Sequence, residues 1–145
     1  MVLWRVSKFA TLDGAGGLLV SGRWHTAGRP VIYCTSTPAA ALLETLVHVE
    51  LDPDEQPISF QLLKIECPFG QTIERTSLLY SGDVAACQAF GDDWLRERRT
   101  LLLEVPSALV PETWNVLANP LHPEAGVLKI TAAFQHAFDS RFFSR

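Results

Sequence analysis

The chain has 145 residues, enough to bury one sizeable core, and 48% of them are hydrophobic against 19% charged, as in compact globular proteins. A formal net charge of −4 excludes the basic footprint of a nucleic-acid-binding domain. No apolar run approaches the roughly 20 residues that span a bilayer.

The first twenty residues lack both an uninterrupted apolar stretch and a small-residue cleavage site, so no secretory leader is expected. Cys34, Cys67 and Cys87 are odd in number, widely spaced and form no C-x-x-C pair. They point to a reducing cytoplasm and to buried thiols that act as small hydrophobes. The histidines (His25, His48, His122, His136) show no ligand spacing, so no metal is expected.

Taken in chain order, "LWRVS" reads as a first strand and "DGAGGLLVSGRW" as a glycine-rich loop leading to an extended segment. "PVIYCT" is a short β-branched strand. "STPAAALLETLVHVEL" is the clearest helix, spanning 37–50. Thr37 caps it, Pro38 takes the first helical position, where its missing N–H costs nothing, and Ala39 to Leu43 favour helix. The prolines of "LDPDEQP" end it. "ISFQLLKIECP" reads as a long strand and "GDVAACQAFGDDWLRERR" as one or two helices. "TLLLEVPSALV" is a buried strand stopping at Pro106. "WNVLANPLHPEAG" is a strand followed by a proline-punctuated loop, and "VLKITAAFQHAFDSRFF" a last strand with a terminal segment. The mixture predicts one compact α/β (α+β) domain over residues 1–145, with a central mixed sheet flanked by helices. Strand order is not readable.

Glu44 is the residue that fits its surroundings least. Its helical face carries Ala40, Ala41, Val47 and His48, with Leu42, Leu43 and Leu46 alongside, a pattern apolar nearly all round and so expected to be buried. A buried carboxylate needs a partner. Either an arginine pairs with it to hold the fold, or it is a functional acid at the bottom of a cleft.

Other residues invite the same two readings. Arg23 follows Gly22, which lets backbone approach a ligand closely, and a guanidinium grips phosphate or carboxylate bidentately. Packing on Trp24 is the plainer account. Arg5 lies within an apolar strand and needs a partner. Tyr33 is a ligand-facing or an ordinary sheet aromatic. Ser107 ends a strand, a common place for ligand contacts in open sheets, but lacks the Gly-x-Ser-x-Gly elbow of a nucleophile. Asn115, Asn119 and His122 suit turn geometry around Pro120 and Pro123, and Trp94 a core anchor.

Together, "GRWHTAGRPVIYCTSTPAAALLETLVHVE" and "GDDWLRERRTLLLEVPSALVPETWNVLANPLHPE" resemble the RES domain family, bacterial toxins of type II toxin–antitoxin pairs. The likeness runs over nearly the whole chain in order: G-R-W, the strand tyrosine, A-L-L-E, G-D-x-W, V-P-S, N-V-L-x-N-P-x-H and the closing "AFDSRFF". Trp4 stands where many members have tyrosine. The resemblance implies a fold like the diphtheria-toxin type of ADP-ribosyltransferase and consumption of NAD⁺. It implies phosphorolysis to nicotinamide and ADP-ribose 1″-phosphate; similar toxins hydrolyse NAD⁺ or ADP-ribosylate a protein.

The same resemblance makes Glu44, Arg23 and Tyr33 the catalytic candidates, and Arg5, Ser107 and Asn119 those for NAD⁺ or phosphate. Glu44 would steady an oxocarbenium-like ribose and, being ionised, should have an arginine nearby. No cofactor is implied: NAD⁺ is substrate, inorganic phosphate co-substrate, and no G-x-G-x-x-G fingerprint is present. The implied partner is a cognate Xre-family helix-turn-helix antitoxin that blocks the active site, with a homodimer within the complex left open. Neither nucleic acid nor membrane is implied for this chain, and its place is the cytoplasm.

Overall fold

The computed structural model describes residues 1–48, 59–79 and 82–142. Its strands are β1 (Val2–Ser7), β2 (Ile32–Thr35), β3 (Ser59–Glu66), β4 (Ile73–Arg75), β5 (Leu102–Pro106), β6 (Trp114–Ala118) and β7 (Lys129–Ala137). The helices are α1 (Gly16–Leu19), α2 (Pro38–Leu46) and α3 (Val84–Glu97), with short 3-10 turns at Ala125–Val127 and Ser140–Phe142. The strands form one mixed sheet in the order β4-β5-β6-β2-β1-β3-β7. Among the described residues, only β4 and β5 run parallel. Among the described residues, no helix is long and apolar enough to cross a membrane.

The sheet has a seam. β1 pairs with β3 along its whole length, from Val2↔Glu66 to Ser7↔Gln61, and β2 pairs with β6 from Ile32↔Ala118 to Thr35↔Asn115. Between them, β1 and β2 share only the pair Trp4↔Thr35. Past that point, a side chain takes over from the backbone ladder: Arg5 Nη1 donates to the Tyr33 carbonyl at 3.0 Å. The partner that an arginine in an apolar strand requires is therefore a backbone oxygen of the neighbouring strand.

Side chains alternate across the sheet, as the two-residue strand period dictates. Ile32, Cys34, Leu102, Val116 and Ala118 join Leu3, Leu63 and Ile65 in one core layer. Val31, Leu103, Val105 and Leu117 face the other way, onto Trp24 and onto Cys87, Trp94 and Leu95 of α3. All three cysteines are free and buried, as the sequence led us to expect.

The helix caps follow the sequence. Thr37 Oγ1 accepts from Ala40 N at 3.1 Å, with Pro38 at the first position; Asp83 accepts from Ala86 N at 3.0 Å to start α3.

Two expectations change. The "DGAGG" segment leads into a helical turn, α1, and not an uninterrupted loop. And α2 is not buried: it ends at Leu46, only Ala41 is fully buried, and Leu43 and the following Val47 are 40% and 54% exposed. The helix expected to run to 50 therefore stops early, with Val47 as its C-cap and 47–48 in a turn; 49–50 and the proline segment after them lie outside the described residues. Of the one or two helices expected before β5 the structure has one, α3, and it adds a short parallel strand, β4, with too few residues to signal itself.

Candidate active site

The seam opens into a cleft of about 800 Å³, within the range of small-molecule sites. Its walls come from β1, the α1 segment, the loop before β2, β2 itself, α2 and the ends of β5 and β6. Arg5, Arg23, Tyr33 and Glu44 all line it. Ser107 is reached through Glu44. Among the described residues of that lining Glu44 is the one carboxylate, facing two guanidinium groups in a protein of net charge −4.

Glu44 is half-buried and accepts two hydrogen bonds on one oxygen, Oε1: from Ser107 Oγ at 3.0 Å and from Asn115 Nδ2 at 2.7 Å. The serine is a fixed donor. Its oxygen accepts from the backbone N–H groups of Leu109 (3.1 Å) and Val110 (3.3 Å), so its own proton is left for the carboxylate. A hydroxyl and an amide N–H are therefore both aimed at one carboxyl oxygen, which accepts from each and is fixed in orientation by them. Among the described residues, no donor reaches Oε2 and no ion pair forms with Glu44. The arginine partner expected from the sequence is thus replaced by neutral donors.

Tyr33 sits in a second network. Its hydroxyl accepts from the Trp24 N–H at 3.2 Å and lies 2.7 Å from His25 Nδ1. The other ring nitrogen, Nε2, is 3.0 Å from the Val20 carbonyl, which can only accept, so Nε2 carries the proton. In the neutral ring Nδ1 then accepts the hydrogen bond that the Tyr33 hydroxyl donates. Burial pushes the Tyr33 phenol well above its ordinary range, partly offset by the Trp24 N–H, so Tyr33 is a neutral, oriented hydroxyl. Gly22 makes room for it: a Cβ there would lie 2.5 Å from the Tyr33 oxygen. His25, 2% exposed, has no sequence signal of a role at the site beyond its place two residues after Arg23.

α3 holds the loop that carries Arg23. Gln88 Nε2 donates to the Gly22 carbonyl at 2.9 Å. Asp92 accepts from Thr26 N at 2.9 Å and Thr26 Oγ1 at 2.7 Å, with Arg29 Nε 3.6 Å away. Between them, Gly91 lets the helix backbone touch the Trp24 carbonyl, where any Cβ would overlap it. Trp94 is fully buried and donates to Thr100 Oγ1 at 2.9 Å, the core anchor expected. The G-D-D-W motif is therefore a clamp on the Arg23 loop.

Asn119 is not brought to the cleft. Its side chain is buried, donating to the Leu95 carbonyl and accepting from Leu121 N, both at 3.0 Å. Its carboxamide is spent on fastening the end of β6 to the end of α3. The asparagine that does line the cleft is Asn115, which the sequence alone suggests is structural. Nothing in "NVLAN" distinguishes which of its two asparagines faces the cleft. Among the described residues, no cluster of potential metal ligands occurs.

Comparison with known proteins agrees with the motifs. The RES domain matches residues 2–139. The toxin Res of Pseudomonas putida is 45% identical over 99% of this chain and 100% of its own length. The Prs ADP-ribosylating toxin of a Sphingobium species is 32% identical, covering 98% and 96%. Among solved structures, the MbcT–MbcA toxin–antitoxin complex of M. tuberculosis contains a chain with the same fold, at a TM-score of 0.70 and 17% identity over 93% of this chain and 83% of that one.

Proposed function

The chain belongs to the RES domain family, and from that premise we propose that it is the toxin of a toxin–antitoxin pair and acts by breaking the nicotinamide–ribose bond of NAD⁺. The observation that carries this reading is the cleft itself: one carboxylate, fixed by neutral donors and open on its Oε2 side, shares it with Arg5 and Arg23.

The residue types suit the chemistry. As the C–N bond breaks, its electron pair leaves with the ring, so nicotinamide departs neutral and needs no general acid. Positive charge builds on the ribose, as in glycoside cleavage. Glu44 is the group to stabilise it, because a preoriented charge at the developing cation lowers the barrier without reorganising. Arg5 and Arg23 suit the pyrophosphate and an attacking inorganic phosphate. Tyr33 offers a ring face and a neutral hydroxyl to the nicotinamide riboside end. Ser107 works through Glu44. With phosphate as acceptor, the products are nicotinamide and ADP-ribose 1″-phosphate; with water, nicotinamide and ADP-ribose.

A second reading has its own support. One relative is named for ADP-ribosylation, so transfer to a protein side chain is the alternative. Purified protein incubated with NAD⁺, with and without inorganic phosphate, separates the three. Release of nicotinamide that depends on phosphate supports phosphorolysis, release without it supports hydrolysis, and label on a protein band supports transfer. No release under any condition overturns the NAD⁺ reading.

The proposed partner is an antitoxin of the Xre helix-turn-helix family that closes the cleft. The cleft carries exposed apolar side chains where such a partner would sit: Val20 is 69% exposed and Val47 54%. An excess of antitoxin should then suppress nicotinamide release.

A further inference from the structure

We propose that Asn115 is a positioning residue for this reaction: its carboxamide N–H holds Glu44 by Oε1 and turns it so that Oε2 faces the substrate. The proposal rests on the reading of Glu44 as the carboxylate that steadies the ribose cation.

Three observations carry it. The bond from Asn115 Nδ2 to Glu44 Oε1, at 2.7 Å, is the shorter of the two that reach this carboxylate. Its donor is rigidly mounted, since Asn115 pairs with Thr35 of β2 on one side and Val105 of β5 on the other. And the rest of the side chain is left unsatisfied: Asn115 Oδ1 is buried and has no hydrogen-bond partner among the described residues.

An orphaned buried acceptor is costly and calls for an explanation. Of the neighbours on that face of the sheet, Val105 and Leu117 are apolar and buried, and Thr35 directs its hydroxyl to the Trp4 and Thr37 carbonyls, so none of them supplies a partner for Oδ1. Turning the amide over would set Oδ1 against the Glu44 carboxylate and orphan Nδ2 instead. The one bond that Asn115 does make to a side chain is the reason for its being there.

The charge environment makes the idea testable by pH. The titratable and charged groups lining the cleft around Glu44 are Arg5 from β1, Arg23 and His25 from the loop before β2, Tyr33 and Cys34 from β2, and His48 from the turn after α2; among the described residues none is a second carboxylate. Asn115→Asp supplies one, in the same shape. Two carboxyl oxygens at that separation cannot both ionise freely, so the pair shares a proton and titrates in two coupled steps. With the proton present, the introduced carboxyl donates to Glu44 as the amide did. As pH rises the proton is lost and the donor becomes a repelling charge.

The experiment measures nicotinamide release by wild type, Asn115→Asp and Asn115→Leu between about pH 5 and 9, with thermal melting and a ¹³C NMR titration of the side-chain carboxyl carbons. The expected results are that Asn115→Asp retains activity at the acid end and loses at least about tenfold relative to wild type at the alkaline end, and that its NMR titration shows two separated steps. Asn115→Leu loses kcat at every pH, with KM for NAD⁺ little changed and melting temperature held or raised. An Asn115→Asp profile parallel to wild type, or a Glu44 titration that the substitution leaves unmoved, overturns the proposal. If wild type releases no nicotinamide, the NAD⁺ reading fails, and the NMR titration still decides whether Asn115 governs Glu44.

Discussion

The two charged ends of the cleft are fixed by opposite means. Glu44 is gripped by its own carboxylate oxygen, through Ser107 and Asn115 at the ends of β5 and β6. Arg23 rides on a loop gripped by its backbone, through Gln88, Gly91 and Asp92 of α3. A group held by its reacting atoms has its orientation set, and altering it changes the chemistry while the fold stays. A group held by its backbone has its position set, and altering the grip costs stability and ligand binding together.

The largest effect should come from the first end. Glu44→Gln keeps an oxygen for Ser107 and Asn115 but removes the charge. Loss of one preoriented electrostatic group costs about 10²–10³ in rate. We expect kcat for nicotinamide release to fall by that order and the melting temperature to hold. A comparable loss of thermal stability would erase the distinction between the two ends.

The second end is broken by Gly91→Ala. Alanine normally stabilises a helix relative to glycine. Here the added methyl would overlap the Trp24 carbonyl oxygen, so α3 must back away from the loop. Overpacking of this kind costs about 1–3 kcal/mol. Melting temperature should drop and KM for NAD⁺ should rise, because the loop that moves is the one carrying Arg23. A variant more stable than wild type would show that the close approach is not what fixes the loop.

The contrast also explains what the sequence can and cannot reveal. Elements with strong local signals are legible: the Thr37–Pro38 start of α2, the Pro106 end of β5, the apolar run of β2. So are the cleft residues whose chemistry conflicts with their setting, Glu44 in an apolar helix and Arg5 in an apolar strand. The site's supporting partners are not. Ser107 and Asn115 meet Glu44 across 63 and 71 residues of chain, and His25 meets Val20 through a backbone oxygen. Such bonds leave no period or spacing in a sequence. Residue type alone gives both Asn115 and Asn119 a turn role, and the family resemblance puts forward Asn119, yet it is Asn115 that lines the cleft while Asn119 fastens β6 to α3. The exposed apolar surface of α2 is hidden for a related reason. Hydrophobicity all round a helix predicts burial within the chain, and here much of that surface is open.

Asp92→Asn is a milder test of the backbone grip. The new amide nitrogen cannot accept from Thr26, so one of two bonds is lost, and the ion pair with Arg29 goes with it. A net contribution of about 1 kcal/mol is expected from a bond of this kind. The loss in stability should therefore fall below that of Gly91→Ala, with a smaller rise in KM. A drop in kcat as deep as that of Glu44→Gln would move Asp92 from the clamp into the chemistry.

The smallest effect is invisible at neutral pH and appears only in alkali. Burial pushes the Cys34 thiol up to about 12, the nearby Arg5 charge opposing it only in part, and burial raises the Tyr33 phenol as well. Both groups are neutral when protonated, and both are raised above their unfolded values of 9.0 and 10.0. Below pH 9 neither state ionises them, so their contribution to stability is fully present. As pH climbs from there toward 12, the unfolded chain releases protons that the folded chain retains, and stability falls. Denaturant midpoints measured from about pH 8 upward should therefore decline, and Cys34→Ala should flatten the first part of that decline. Because Glu44 is held by neutral hydroxyl and amide donors, the midpoint should fall through this range without a separate step from the carboxylate end. Such a step would mean that a titrating base, and not Ser107 and Asn115 alone, holds Glu44 in place.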